Sequence, residues 1–369
     1  MLINGINVKE FKRTYTLPFN YVIPNSTDVL LRTSSPKSSK VKFIKRKLYL
    51  LLKRQSHLEI DKIFPLHQNI LWINISAPSL GDSLMDLSSR VMLYDRKIDL
   101  YTDKKNAMLY KHDSLINSVF YKLNQVKQNK YDLVIIDSFS TRSVRFKEKI
   151  APLTPFVGMF GYYNGPEVNR VLFSFHQMNK LLGSVSSESE INNIAKPSIF
   201  ISNGDKKIIN SLKLPKDFIA IVIGGEWSFR TFNKWDCVIE KLIKLNKKRK
   251  IILIGSYNGI ADAKLIIKSI SSDYVINLVA KLSFNQTAEV ISNSKYIVCC
   301  DGGLMHAANA VGAIAVPLLA KLDSDMQLTR ANNSFPLFDK INVNNIPVEN
   351  IVLKCQEASN FADSHHEGE

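Results

Sequence analysis

The stretch Tyr296-Ile297-Val298-Cys299-Cys300-Asp301-Gly302-Gly303-Leu304-Met305-His306 passes from an unbroken apolar run through two glycines into a helical pattern. A short apolar run that ends in glycines and opens a helix reads as a buried strand, a tight turn and a helix. The same alternation spreads outward from it. Strands are expected at 218–223, 250–254, 274–277, 296–300 and 313–319, and helices at 235–245, 259–270, 285–292 and 304–311. Strands alternating with helices of about ten residues imply right-handed β-α-β units on a parallel sheet.

The first half repeats the pattern less cleanly. Residues 69–75 (Asn69-Ile70-Leu71-Trp72-Ile73-Asn74-Ile75) read as a strand, 76–82 as a tight loop and 84–93 as a helix, with further strands at 98–101 and 131–137. A helix over 169–182 should stop at Gly183, a C-terminal glycine cap. The polar, serine-rich run 184–196 reads as a linker, 347–357 as a last helix and the tail beyond Asn360 as frayed. The expectation is therefore α/β: two Rossmann-like domains facing a central cleft, with a basic N-terminal extension. Its parts are an extension over 1–65, an N-terminal Rossmann-like domain over 66–190, a C-terminal Rossmann-like domain over 191–330, and a helix and tail over 331–369. Open α/β sheets bind ligands at the carboxyl ends of their strands, so the sites should lie there.

Composition narrows the class. With 369 residues the chain is long for one core, and 45% hydrophobic against 22% charged excludes a largely disordered chain. It carries neither an apolar run of membrane-spanning length nor the pattern of a signal peptide, which points to the cytoplasm. Cys237, Cys299, Cys300 and Cys355 show no metal-binding spacing, and no disulfide is expected. The formal charge of +16 favours an anionic partner. Lys37, Lys40, Lys42, Lys45, Arg46, Lys47, Lys53 and Arg54 fall in one stretch without an acidic residue, interleaved with Phe43, Ile44, Leu48, Leu50, Leu51 and Leu52. That is either a basic amphipathic helix on an anionic leaflet or a solvated helix whose apolar side packs on the domain. The cluster lacks interleaved exposed aromatics and any recognised module, so nucleic acid is not the expected partner.

Three loops carry candidate chemistry. Gly302, Gly303 and Leu304 open a helix whose free N–H groups and partial positive charge suit a pyrophosphate, with Asp301 placed to accept from ribose hydroxyls and Met305 and His306 following. After strand 218–223, Gly225, Ser228, Arg230 and Lys234 combine a glycine turn, a hydroxyl and two cations, which suits a leaving diphosphate. Ser79, Gly81 and Asp82 follow the first strand, where one carboxylate at a helix start can act as a general base. Arg142 and Arg145, beyond the strand ending at Asp137, would sit on the same rim and hold an acidic acceptor. Taken singly, each of these motifs also reads as a helix cap, a glycine turn or a basic surface loop.

Together the motifs resemble those of glycosyltransferase family 9, the lipopolysaccharide core heptosyltransferases. The run from Lys281 through Asn285-Gln286 to Asp301-Gly302-Gly303-Leu304-Met305-His306-Ala307-Ala308 is similar to the family's donor motif. Ser79-Leu80-Gly81-Asp82 is similar to its S-x-G-D loop, whose Asp is the proposed base. Residues 131–137 with Arg142, the helix over 169–183 and Asn233-Lys234-Trp235 fall in family order, and the likeness spans about residues 66–355. Three positions depart: Gly302 stands for a Ser or Thr, Gln286 for a glutamate, and Asn233 for a phosphate-binding lysine, with Lys234 or Arg230 as substitutes.

The resemblance implies an inverting transfer of heptose from ADP-heptose to the inner core of lipopolysaccharide. Asp82 would be the catalytic base, Ser79, Gly81, Arg142 and Arg145 would bind the acceptor, and Gln286 would join the donor residues. No cofactor or metal is implied, and Asp323-Ser324-Asp325 reads as a solvated loop. The implied partners are a nucleotide sugar, a lipid-anchored saccharide and an anionic membrane surface at the cytoplasmic face. A relative with another donor sugar or a protein acceptor is the second reading. A non-catalytic nucleotide-binding relative is the third, because of the three departures.

Overall fold

The computed structural model describes residues 36–366 apart from 128, 129, 139, 161–168 and 272. The chain forms two compact units, Met1–Ala195 and Lys196–Glu369.

The first unit runs α1 (Pro36–Leu52), β1 (Asn69–Asn74), α2 (Leu80–Asp86), β2 (Lys97–Thr102), α3 (Lys104–Tyr110), β3 (Ile116–Phe120), β4 (Leu133–Ser138), α4 (Thr141–Ile150), β5 (Phe156–Phe160), α5 (Arg170–Leu181) and α6 (Glu188–Ile194). Its five strands are parallel in the order β3-β2-β1-β4-β5. Chain order reverses direction between β1 and β4, and a crevice opens at such a point beyond the carboxyl ends of the two strands. Both strands are buried on both faces, hence their near-continuous apolar sequences.

The second unit runs α7 (Asn203–Ser211), β6 (Phe218–Val222), α8 (Trp235–Leu245), β7 (Lys250–Ile254), α9 (Ile260–Ser269), β8 (Val275–Asn277), α10 (Phe284–Ser292), β9 (Tyr296–Cys300), α11 (Gly303–Val311), β10 (Ala315–Ala320), α12 (Ser324–Gln327), β11 (Leu337–Asp339) and α13 (Val348–His366). Its six strands are parallel in the order β11-β10-β9-β6-β7-β8, so the reversal falls between β6 and β9. Successive side chains of a strand face opposite ways. Ile219 and Ile221 of β6 accordingly join the core containing Trp235 and Ile351, whereas Phe218 and Ala220 join the core containing Met305 and Ala308.

Several sequence expectations are corrected. The run 184–196 is not all linker: Ser187 accepts from the Glu190 N–H while Glu190 reaches back to Ser187, a capping box that starts α6, and Ile191 is buried. The helix expected at 84–93 begins at Leu80, capped by Ser79, and gives way after Asp86 to a 310 turn, Ser88–Leu93. The last helix continues to His366 because Ala358 and Ala362 are buried. Asp323-Ser324-Asp325 is not a loop, since the Asp323 side chain caps α12 through the Met326 N–H at 3.2 Å. Strands β3, β5 and β11 are additions; β3 carries Asn117 and Ser118 and β5 carries Gly158, which broke the apolar signal.

The described part of the N-terminal segment is built into the first unit. Leu50 lies in the core with Leu71 and Val134, fully buried Arg46 donates to Glu59 at 2.6 Å, and the Lys147 ammonium donates to Gln55 at 2.6 Å. Residues 1–35 and the side chains of Lys37, Lys40, Lys42 and Phe43 lie outside the described residues.

Candidate active site

At the carboxyl ends of β6 and β9 the second unit gathers the residues that its sequence singled out. Helix α11 starts at Gly303 with Gly302 as its N-cap and no side-chain cap, unlike α7, α10 and α12, which Ser202, Ser283 and Asp323 cap. Its first N–H groups therefore keep their capacity to donate to an anion. Gly302 is extended rather than left-handed, and a Cβ built there would meet nothing within 4 Å. The Ser or Thr of the family pattern would fit. Beside this helix end Arg230 donates through Nη1 to Asp301 at 3.0 Å, joining the 310 turn Ser228–Arg230 to the end of β9. Asp301 is buried and Arg230 about a quarter exposed. Two cations approach the Phe229 ring, the Lys321 ammonium at 3.9 Å and the Arg230 guanidinium at 5.9 Å from its centre.

The glycine turn after β6 has a steric reason. Gly224 has φ +89°, and a Cβ on it would lie 2.7 Å from Gly259 Cα; a Cβ on Gly225 would overlap the Thr231 hydroxyl. Gly225→Val should push this loop off the strand end and weaken nucleotide binding at least tenfold, while Gly302→Ser should bind within about twofold of the parent. Isothermal titration with ADP measures both, and a weakened Gly302→Ser would mean that this space is not open to a side chain.

Other donor candidates are placed differently from expectation. Met305 has no exposed surface and packs in the core, so its side chain touches no ligand, and His306 is 4% exposed. Both occupy the inward face of an apolar helix. Lys234 donates to the Asn344 carbonyl at 3.2 Å. Gln286 holds the cap of α10 through its Oε1 and donates through Nε2 to Asp205 at 3.2 Å. Asn344 also accepts from the Asn233 N–H at 2.9 Å.

In the first unit the loop after β1 is pinned by Asp137 of β4, which accepts from the Ile75 and Ser76 N–H groups at 2.7 and 2.6 Å and from the Ser143 hydroxyl at 2.6 Å. The chain then turns at Ser79 into α2, with Gly81 buried. Asp82 Oδ2 accepts from the Ser79 hydroxyl at 2.6 Å, and Oδ1 accepts from Arg170 Nη1 at 2.7 Å. Each oxygen retains a further lone pair, and the side chain is 22% exposed. Arg170 also donates to Asp86, Nε at 2.9 Å and Nη2 at 2.7 and 2.8 Å. Asp86 is 2% exposed, and burial pushes its carboxyl up to about 6 against the pull of the Arg170 guanidinium. One arginine thus spans a buried carboxylate and a reachable one.

Arg142 and Arg145 both lie on α4 and are exposed. Arg145 sets its guanidinium 5.4 Å from the centre of the Tyr49 ring of α1, so its contact is with the N-terminal helix. Sequence reading missed Asp86, Arg170 and Lys321. Lys321 follows β10 directly, at the strand-end position that singled out Asp301. Arg170 was visible as the cation at the first position of its helix.

Two doubly wound parallel units with these strand-end loops define a fold of the GT-B glycosyltransferase class. Solved structures with this fold include a family 9 glycosyltransferase from Veillonella parvula (TM-score 0.68, 14% identity, 82% of this chain and 99% of that one). The ADP-heptose lps heptosyltransferase II of E. coli follows (TM-score 0.63, 16% identity, 80% and 100%), as does E. coli heptosyltransferase WaaC with ADP-2-deoxy-2-fluoro heptose (0.58, 16%, 79% and 99%). No curated protein sequence matches the chain. The family model for glycosyltransferase family 9 (heptosyltransferase) matches residues 171–358, more than half of the 369. The chain belongs to glycosyltransferase family 9.

Proposed function

We propose that this chain is an inverting heptosyltransferase that moves a heptose from ADP-heptose to an inner-core sugar of lipid-anchored lipopolysaccharide. The observation that carries the proposal is the Asp82 carboxylate at the start of α2, half-buried and held by Ser79 and Arg170. Asp82 takes the proton of the acceptor hydroxyl as its oxygen bonds to the anomeric carbon of the donor, and the bond from that carbon to the diphosphate breaks. The leaving nucleoside diphosphate rests on the N–H groups of Gly302, Gly303 and Leu304, with Arg230 and Lys321 balancing its charge, so the reaction needs no metal or other cofactor. The donor nucleotide is ADP by likeness to the E. coli enzymes whose structures contain ADP or an ADP-sugar. The acceptor places the work at the cytoplasmic face of a membrane.

A thermal-shift comparison of ADP, UDP, GDP and CMP tests the donor. A ligand at about 100 times its dissociation constant adds roughly 2.7 kcal/mol of stability. Selective stabilisation by ADP is the expected result, and selective stabilisation by UDP replaces the donor. A second reading, a relative with a different donor sugar, rests on Gln286, which stands where the family has glutamate and is tied to Ser283 and Asp205.

A further inference from the structure

Helix α1 is amphipathic in the wrong sense for a helix that only packs on its own domain. Its inward face holds Arg46, fully buried against Glu59, and Leu50. Its outward face holds Val41, Ile44, Leu48, Leu51 and Leu52, which are 63%, 40%, 54%, 68% and 79% exposed. These five are spaced three, four, three and one apart, which sets them on a single stripe at about 100° per residue, opposite Arg46 and Leu50. Five large aliphatic side chains in one continuous stripe form a patch that calls for a partner.

Two features identify the partner. The stripe is edged by cations: Lys45, Lys53 and Arg54 are exposed on or just after α1, and Arg142, Arg145 and Lys149 are exposed on the adjacent α4, whose one carboxylate, Glu148, pairs with Lys53 at 3.6 Å. Between Pro36 and Arg54 no acidic residue interrupts them, and the whole chain carries +16. The helix is also held rigidly to the unit, since Tyr49 donates to Glu148 at 3.0 Å and Gln55 bonds both Lys147 and the Pro152 carbonyl. A pre-formed helix with an apolar crest and basic flanks matches an anionic lipid surface, where leucines enter the acyl boundary and lysines remain among the headgroups. No described helix is long and apolar enough to cross a membrane, so the helix lies in the interface plane.

We infer that α1, with the basic face of α4 beside it, docks the first unit on an anionic membrane with Val41, Ile44, Leu48, Leu51 and Leu52 inserted. The inference does not rest on the transfer chemistry, and its test needs no donor or acceptor. The full chain is sedimented with vesicles of phosphatidylglycerol and phosphatidylethanolamine, and with vesicles of phosphatidylcholine alone. The parent should bind the anionic vesicles at least about tenfold better, with binding that weakens as salt rises. Leu48→Ser with Leu51→Ser, and separately Lys45→Glu with Arg54→Glu, should each lower partitioning roughly tenfold, while the thermal transition stays near that of the parent. Parent-like partitioning of both double variants, or equal binding to both vesicle types, would overturn the inference. So would a parent that is dimeric in solution and becomes monomeric in the leucine variant, because the stripe would then be covered by a second copy.

Discussion

Asp82→Asn retains nucleotide binding and loses turnover by roughly 100- to 10,000-fold, the range that a positioned general base contributes. The substitution keeps the shape of the side chain and one oxygen acceptor toward Ser79, and it removes the capacity to take a proton together with the charge and second acceptor that Arg170 engages. The nucleotide candidates lie in the other unit, at Gly302, Gly303, Leu304 and Arg230, so ADP titration should give the parent's affinity. Single-turnover assay with a lipopolysaccharide acceptor and ADP-heptose measures the loss. A variant within threefold of the parent would remove Asp82 from the role.

Arg170→Gln lowers the unfolding free energy by roughly 3–5 kcal/mol, because it leaves Asp86 buried without the cation that spans it. Arg170→Lys should fall between, since an ammonium cannot reproduce the fork that engages Asp82 and Asp86 together. Chemical denaturation measures both, and a Gln variant within about 0.5 kcal/mol of the parent would show that the bridge adds no stability. The pH dependence has a definite sign. The Asp86 carboxyl is raised to about 6 in the folded chain, by burial foremost, so the folded state binds its proton more tightly than the unfolded state does. Its contribution is fully present below the unfolded value near 4 and is lost as pH rises through 6, an order-of-magnitude change of about 3 kcal/mol. The difference in stability between the parent and Asp86→Asn should shrink over that interval.

The second unit was the more legible in sequence. Strands such as 218–223 and 296–300 are buried on both faces and read as unbroken apolar runs, and the glycines at 224, 225, 302 and 303 mark their ends. The first unit hid β3 and β5 because Asn117, Ser118 and Gly158 interrupt the pattern. Helix α6 was hidden inside a serine-rich run, since serine is read as loop whereas Ser187 works there as a cap. At the nucleotide candidates the residue types were legible and their engagements were not. Met305 looked like a site residue because it follows the glycines, but 3.6 residues per turn carry it into the core.

By itself the sequence determined that the chain is two parallel α/β units, and it set Ser79 and Asp82 in the turn between the first strand and the helix that follows. These follow from local periodicity and cap spacing, which act over a few residues. Only the tertiary structure decided that Arg170, 88 residues from Asp82, joins it to buried Asp86, that Arg230 pairs with Asp301, and that α1 buries its arginine and exposes its leucines. A helical pattern shows that two faces exist. Which face turns inward depends on what the rest of the chain offers to it, here Glu59 for Arg46 and the flank of β1 and β4 for Leu50.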